Sequence, residues 1–251
     1  MKYQNYVFDL YGTLVDIHTD EEQPLLWEKM ARFYGYQGAF YTEKELHDAF
    51  YDTVHEMEMA QKRDMLGGGN YTHEAFPEIQ IEYVFLRLFE KKNVKRDLDF
   101  AVLTGQFFRA LATEYIKLYE GVPKLLATLK KENVGVYLLS NAQRAFTEYE
   151  LKGLDIFKYF DGVLISSDHG TKKPDVRFFE VLTEQYALNP KECLMIGNDR
   201  STDIAGAKAA GMDTFYIHSN LSPEPDIGPK ADFELEEMNI KRVMQMLGLE
   251  E

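Results

Sequence analysis

The sequence predicts an α/β protein, a doubly wound parallel sheet interrupted by an inserted α-helical bundle. From Gly121 to the end, short continuous apolar runs alternate with helical patterns, as strands buried on both faces and their crossover helices do. A run of the same kind, Tyr6-Val7-Phe8, stands near the start of the chain. Between the two, about a hundred residues repeat apolar positions at helical spacing.

The first run ends at Asp9, followed by a turn that Gly12 permits. In open parallel sheets the carboxyl edge of the strands faces the ligand crevice, so a carboxylate there is a candidate for chemistry. After Asp16 the pattern becomes helical. Leu26, Met30 and Phe33 form one stripe, and Leu46, Phe50, Val54 and Met57 a second. Ile81, Val84, Phe85, Leu88 and Phe89 form a third behind Pro77, which suits a helix start, and Phe100, Leu103, Phe107 and Leu111 a fourth. Four amphipathic helices make a small bundle. Gly67-Gly68-Gly69-Asn70 lacks the Gly-Lys-Ser/Thr ending of a phosphate loop and reads as a flexible connection.

Pro123 opens the next helix, and Val134 to Leu139 reads as a strand ending at Ser140-Asn141. Gly162 to Ile165 is a short strand, from which a loop leads through Lys173-Pro174 into a helix with Phe178, Phe179 and Leu182. Cys193 to Ile196 ends at Gly197-Asn198-Asp199, a helix begins near Asp203, and Thr214 to Ile217 is the last clear strand. Pro223, Pro225 and Pro229 mark a loop before a final helix with Ile240, Val243, Met244 and Leu247. The expected organisation is a core of residues 1–16 and 118–251 with a helical insertion at 17–117.

Composition narrows the partners. Lys and Arg number 28 against 42 Asp and Glu, a net charge of −14, with no basic cluster to track a phosphate backbone. Nucleic acid is not an expected partner. No run approaches a membrane span, and no stretch resembles a signal peptide, so the expectation is a soluble cytoplasmic protein acting on a small molecule. The sequon Asn70-Tyr71-Thr72 is then accidental, and the single cysteine, Cys193, lies in an apolar run that predicts a buried thiol.

Four polar sets fall at strand ends or just beyond: Asp9, Ser140 with Asn141, Lys173, and Asp199 with Asp203. Taken singly, Ser140-Asn141 is a turn and helix cap, Lys173 a solvated lysine and Asp203 an N-cap. In a doubly wound sheet all four converge on one crevice. A carboxylate attacking a phosphate dianion needs a cation and hydrogen-bond donors on the oxygens, which Lys173 and Ser140 supply. Asp9 and Asp199 offer the oxygen ligands that Mg²⁺ prefers.

In these residues the chain resembles the haloacid dehalogenase superfamily. Phe8-Asp9-Leu10-Tyr11-Gly12-Thr13-Leu14 is similar to its first motif, Leu139-Ser140-Asn141 to the second, Lys173-Pro174 to the third, and Ile196-Gly197-Asn198-Asp199 through Asp203-Ile204-Ala205-Gly206-Ala207 to the fourth. The resemblance implies a Rossmann-like core with a helical cap that closes over the site. It implies Asp9 as a nucleophile forming an aspartyl intermediate, Ser140 and Asn141 at the substrate, and Lys173 on the phosphoryl oxygens. Asp9, the Tyr11 carbonyl, Asp199 and Asp203 form the implied Mg²⁺ site.

Two positions depart from the phosphatase pattern. Tyr11 stands where most phosphatases of the superfamily have an acid/base aspartate, a role typically worth about 10²- to 10⁴-fold in rate. Asn198 stands where many have the first aspartate of the fourth motif, leaving Asn198 and Asp199 as alternatives for the metal. The 2-haloacid dehalogenases also carry Asp-x-Tyr-Gly-Thr, and their halide leaving group needs no proton. Metal-independent dehalogenation is therefore the second reading, for which Arg32 and Arg63 are cap cations in range. A non-catalytic ligand-binding member is the third.

Overall fold

The computed structural model describes residues 2–67 and 78–249. In chain order the elements are β1 (Asn5–Phe8), β2 (Val15–Thr19), α1 (Pro24–Tyr36), α2 (Glu43–Gly67), α3 (Ile81–Glu90), α4 (Leu98–Ala112) and β3 (Thr113–Leu118). Then come α5 (Val122–Lys131), β4 (Gly135–Ser140), α6 (Arg144–Gly153), β5 (Gly162–Ile165), α7 (Ser166–His169), α8 (Val176–Gln185) and β6 (Cys193–Gly197). The chain closes with α9 (Ala205–Ala209), β7 (Asp213–Ile217), β8 (Phe233–Leu235) and α10 (Ile240–Leu247).

Six strands form one sheet in the order β5-β4-β1-β6-β7-β8, and every pairing is parallel. The side-chain period of two, with both faces of the sheet covered, explains why β1 is apolar from Tyr6 to Phe8. Tyr6 and Phe8 pack with Leu125, Leu126 and Val243 on one face, while Val7 packs with Phe178, Phe179 and Leu182 on the other. From β1 the sheet grows outward through β4 and β5, then on the opposite side through β6, β7 and β8. The reversal opens a crevice at the carboxyl ends of β1, β4 and β6, the usual ligand position in such sheets.

Helices α1 to α4 enclose a separate aromatic core of Trp27, Tyr34, Phe50, Phe85, Phe89 and Phe108, to which α6 contributes Ala145 and Phe146. Three of the four helical stripes meet as their periodicity predicts, but α4 buries Ala101, Thr104, Gly105, Phe108 and Ala112 instead of the expected stripe: Leu103 is exposed, and Phe100, Phe107 and Leu111 lie half-buried at the edge. Three strands are absent from the sequence reading. β2 and β3 pair antiparallel and join the helices to the sheet. β3 follows α4 with no Gly or Pro to break the pattern, so its start carries no local signal. β8 is a three-residue edge strand of half-buried residues, too short for periodicity to reveal. Pro77, Gly68 to Asn70 and the sequon lie outside the described residues. No described helix is long and apolar enough to cross a membrane.

Candidate active site

Strand register brings the polar sets together. Phe8 pairs with Leu138 and Ile196 on its two sides, so the residues just beyond these positions lie side by side. Asp9 donates its backbone N–H to Ile196 (3.0 Å), and its side chain is largely buried.

Lys173 reaches this point from the loop before α8. Its ammonium donates to Asp9 Oδ1 (2.7 Å), Asp203 Oδ1 (2.6 Å) and the Leu139 carbonyl (2.7 Å), using all three N–H bonds in a site where the lysine is 2% exposed. Burial alone would lower the Lys173 pKa, but the attraction of Asp203 and Asp9 outweighs it and holds the ammonium charged. Burial pushes the Asp203 carboxyl up, Lys173 opposes this, and the neighbouring Asp9 adds to it. One cation thus faces two carboxylates.

Asn141 holds the Lys173 loop. Its Oδ1 accepts from the Lys173 backbone N–H (2.8 Å), and its Nδ2 donates to the Lys173 carbonyl (2.9 Å). Ser140 is fully buried, and its hydroxyl meets no described partner. Such a group costs about 1–3 kcal/mol when left unpaired.

The last motif separates its side chains by hydrogen bonding. Asp203 Oδ2 accepts from the backbone N–H groups of Asn198 and Asp199, both at 3.1 Å. A Cβ at Gly197 would lie 2.2 Å from that oxygen, so glycine makes room for the carboxylate. Residues 200–204 form one π-type turn, in which Ile204 N–H also reaches the Asp199 carbonyl (3.3 Å). A turn of this kind absorbs one extra residue. Asp199 caps the turn, accepting from the backbone N–H groups of Ser201 (2.7 Å) and Thr202 (3.2 Å) and from the Ser201 hydroxyl. Asn198 instead faces the nucleophile. The Thr13 hydroxyl lies 3.3 Å from Asn198 Oδ1 and 3.4 Å from Asp9 Oδ2. Gly12, at φ 84°, leaves space that a Cβ would fill at 2.2 Å from the Asn198 amide.

Tyr11 turns its hydroxyl the other way. It donates to Glu150 Oε2 (2.5 Å) and lies 3.0 Å from the Thr147 hydroxyl, both on α6. Burial, followed by the Glu150 carboxylate, raises its pKa far above that of a free phenol. Glu150 Oε1 accepts from Arg109 Nε at 2.7 Å, and the guanidinium lies over the rings of Phe146 (5.4 Å) and Tyr11 (5.7 Å). Tyr11, Arg109, Phe146 and Thr147 border a crevice of ≈ 500 Å³ whose lining also includes His18, Glu21, Asn141 and Gln143.

Arg109, Glu150 and Glu21 are absent from the sequence reading. Glu21 and Arg109 stand just inside the two ends of the helical insertion, where the chain must pass the crevice, and that position is the signal that could have found them. Arg32 instead pairs with Glu28 on the exposed side of α1, and the Arg63 side chain lies outside the described residues.

Comparison with known proteins agrees with the fold and the family resemblance. The family model for haloacid dehalogenase-like hydrolases matches residues 3–211, and the chain belongs to that family. It is 30% identical over 113 residues to phosphoserine phosphatase of Thermus thermophilus, covering 45% of each chain. It is 28% identical over 196 residues to glyceraldehyde 3-phosphate phosphatase of Methanothermobacter thermautotrophicus, covering 71% of this chain and 85% of that one. The chain spans about half the length of the first curated relatives it matches. Among solved structures, 2-haloacid dehalogenase of Pseudomonas syringae superposes with a TM-score of 0.62 at 19% identity, covering 98% of both chains, a likeness of fold.

Proposed function

We propose that the protein is a phosphatase acting on a small phosphorylated metabolite, with Asp9 as nucleophile. The observation that carries this reading is the arrangement of Asp9 on a buried lysine beside an unpaired buried serine hydroxyl. The curated phosphatases among the relatives support it.

Lys173 orients the Asp9 carboxylate and places a positive charge where a phosphoryl group would sit. Ser140 donates to a phosphoryl oxygen, and Asn141 fixes the lysine loop beside it. An Asp9 oxygen forms a bond to phosphorus as the ester P–O bond breaks; the alkoxide takes a proton from solvent and leaves as the alcohol, and an aspartyl phosphate remains. Water then attacks phosphorus, gives a proton to solvent and breaks the Asp9–phosphorus bond, which releases phosphate and restores the carboxylate. Asp203 holds Lys173 in place throughout.

The oxygen atoms beside Asp9 suit a hard divalent cation. Among the described residues no three His, Cys, Asp or Glu side chains converge on a metal position, so the set is mixed. Asp9, the Tyr11 carbonyl and Asn198 would hold Mg²⁺; Asn198 Oδ1 and Asp9 Oδ2 both lie within 3.4 Å of the Thr13 hydroxyl, which supports placing them at one ion. Asp199 is committed to its helix cap and Asp203 to Lys173. The ion would neutralise charge on the phosphoryl oxygens.

Metal-independent dehalogenation of a 2-haloacid is the second reading, favoured by the Tyr11 wall in place of an acid/base carboxylate. Phosphate and halide release, each assayed with and without Mg²⁺, separate the two. Phosphate release that needs Mg²⁺ and is lost in Asp9→Asn is expected; halide release indifferent to chelator would defeat the phosphatase reading.

A further inference from the structure

We infer that Arg109 sets substrate specificity, its terminal amino groups holding a carboxylate at the end of the substrate remote from the phosphoryl group. The inference rests on the phosphatase reading and adds a substrate class to it.

A guanidinium carries five N–H donors, and Arg109 spends one of them, at Nε, on Glu150. Glu150 is itself fixed, since its other oxygen accepts the Tyr11 hydroxyl. The rings of Tyr11 and Phe146 lie beneath the charge. The group is therefore held in one orientation while its two terminal amino groups donate to no described residue. The Arg109 side chain is 15% exposed, and neither amino group is among the buried polar atoms sealed without a partner. They face accessible space, with four N–H bonds free for a planar anion that can accept two in parallel.

Arg109 stands between two spaces, the crevice that it lines with Tyr11, Glu21 and Asn141 and a largely apolar groove of ≈ 390 Å³ that it lines with Glu150. The crevice is the one that adjoins the nucleophile's site, since Asn141 there holds the loop of the lysine bonded to Asp9. Tyr11 and Asn141, which flank the nucleophile in the chain and through Lys173, line the same crevice as Arg109, so a metabolite seated there meets the guanidinium at its far end. Glu21 shares the crevice and disfavours a second, doubly charged phosphate there, which leaves the singly charged carboxylate as the better match.

The test compares 3-phosphoglycerate with glycerol 3-phosphate, a pair of three-carbon phosphoesters of which only the first has a carboxylate. The wild type should prefer 3-phosphoglycerate through KM. Arg109→Gln should lose about 10- to 100-fold in kcat/KM on 3-phosphoglycerate beyond any loss on glycerol 3-phosphate, and Arg109→Lys should recover part of it. Equal losses on both substrates, or no preference in the wild type, would overturn the inference. Calorimetric binding of the two compounds to Asp9→Asn protein, with and without Arg109→Gln, gives a second readout. Where the wild type hydrolyses neither compound, the binding preference judges Arg109: present and lost with Arg109→Gln it stands, absent it falls, while the phosphatase reading itself is judged by the phosphate and halide assays above. Should Arg109→Gln fail to fold, Arg109→Lys, which keeps the charge but not the planar fork, should lower the preference for 3-phosphoglycerate; an unchanged preference there would overturn it.

Discussion

The ammonium of Lys173 lies 2.7 Å from Asp9 and 2.6 Å from Asp203, one buried cation held between two carboxylates. Removing it leaves two negative groups facing each other away from water. Lys173→Met should destabilise the fold by about 3 kcal/mol, the usual scale for breaking a buried pair from one side. Activity should fall by at least about 10²-fold. Denaturant unfolding and a phosphatase assay check the two effects, and a variant as stable as the wild type would contradict the pairing.

Asn198 and Asp199 should differ sharply although they are adjacent. Asn198→Ala removes an oxygen beside Asp9 and should raise the Mg²⁺ concentration for half-maximal activity by about tenfold or more. Asp199→Ala removes a helix cap and should cost about 1 kcal/mol of stability with little change in that concentration. Titrating activity with Mg²⁺ and measuring unfolding for both variants decides between them. The reverse pattern would return the metal to Asp199.

Tyr11→Phe deletes a hydroxyl that already donates to Glu150. The fold should lose about 1–2 kcal/mol, while kcat should fall less than about tenfold. A drop of about 10²-fold or more, the range for a lost general acid, would make the phenol the proton donor after all.

Cys193 is fully buried, and burial pushes its thiol up to about 11. At pH 8 the native protein should leave a disulfide reagent uncoloured over minutes and react with it fully in denaturant. Prompt labelling of native protein would show that β6 opens.

The legible parts of this molecule are those written in short-range pattern. Apolar runs such as Cys193 to Ile196 mark buried strands by composition, and strand ends in a doubly wound sheet converge, so Asp9, Ser140 and Lys173 could be drawn together before any geometry. Side-chain direction was not legible. Which of Asn198 and Asp199 faces Asp9 depends on a π-type turn and on Asp203 accepting two backbone N–H groups, and neither leaves a mark in composition. Arg109 and Glu150 were hidden for another reason: they are 41 residues apart and meet only when α4 packs beside α6.

The pairing of Thr19 with Thr113 brings the two ends of the helical insertion side by side on one ribbon. Everything between them departs and returns through a single doorway. Different helices could be spliced in at this ribbon without stretching the chain, provided Glu21 and Arg109 stay at the threshold. The hybrid would keep its substrate-facing charges while its outer surface became free to diverge.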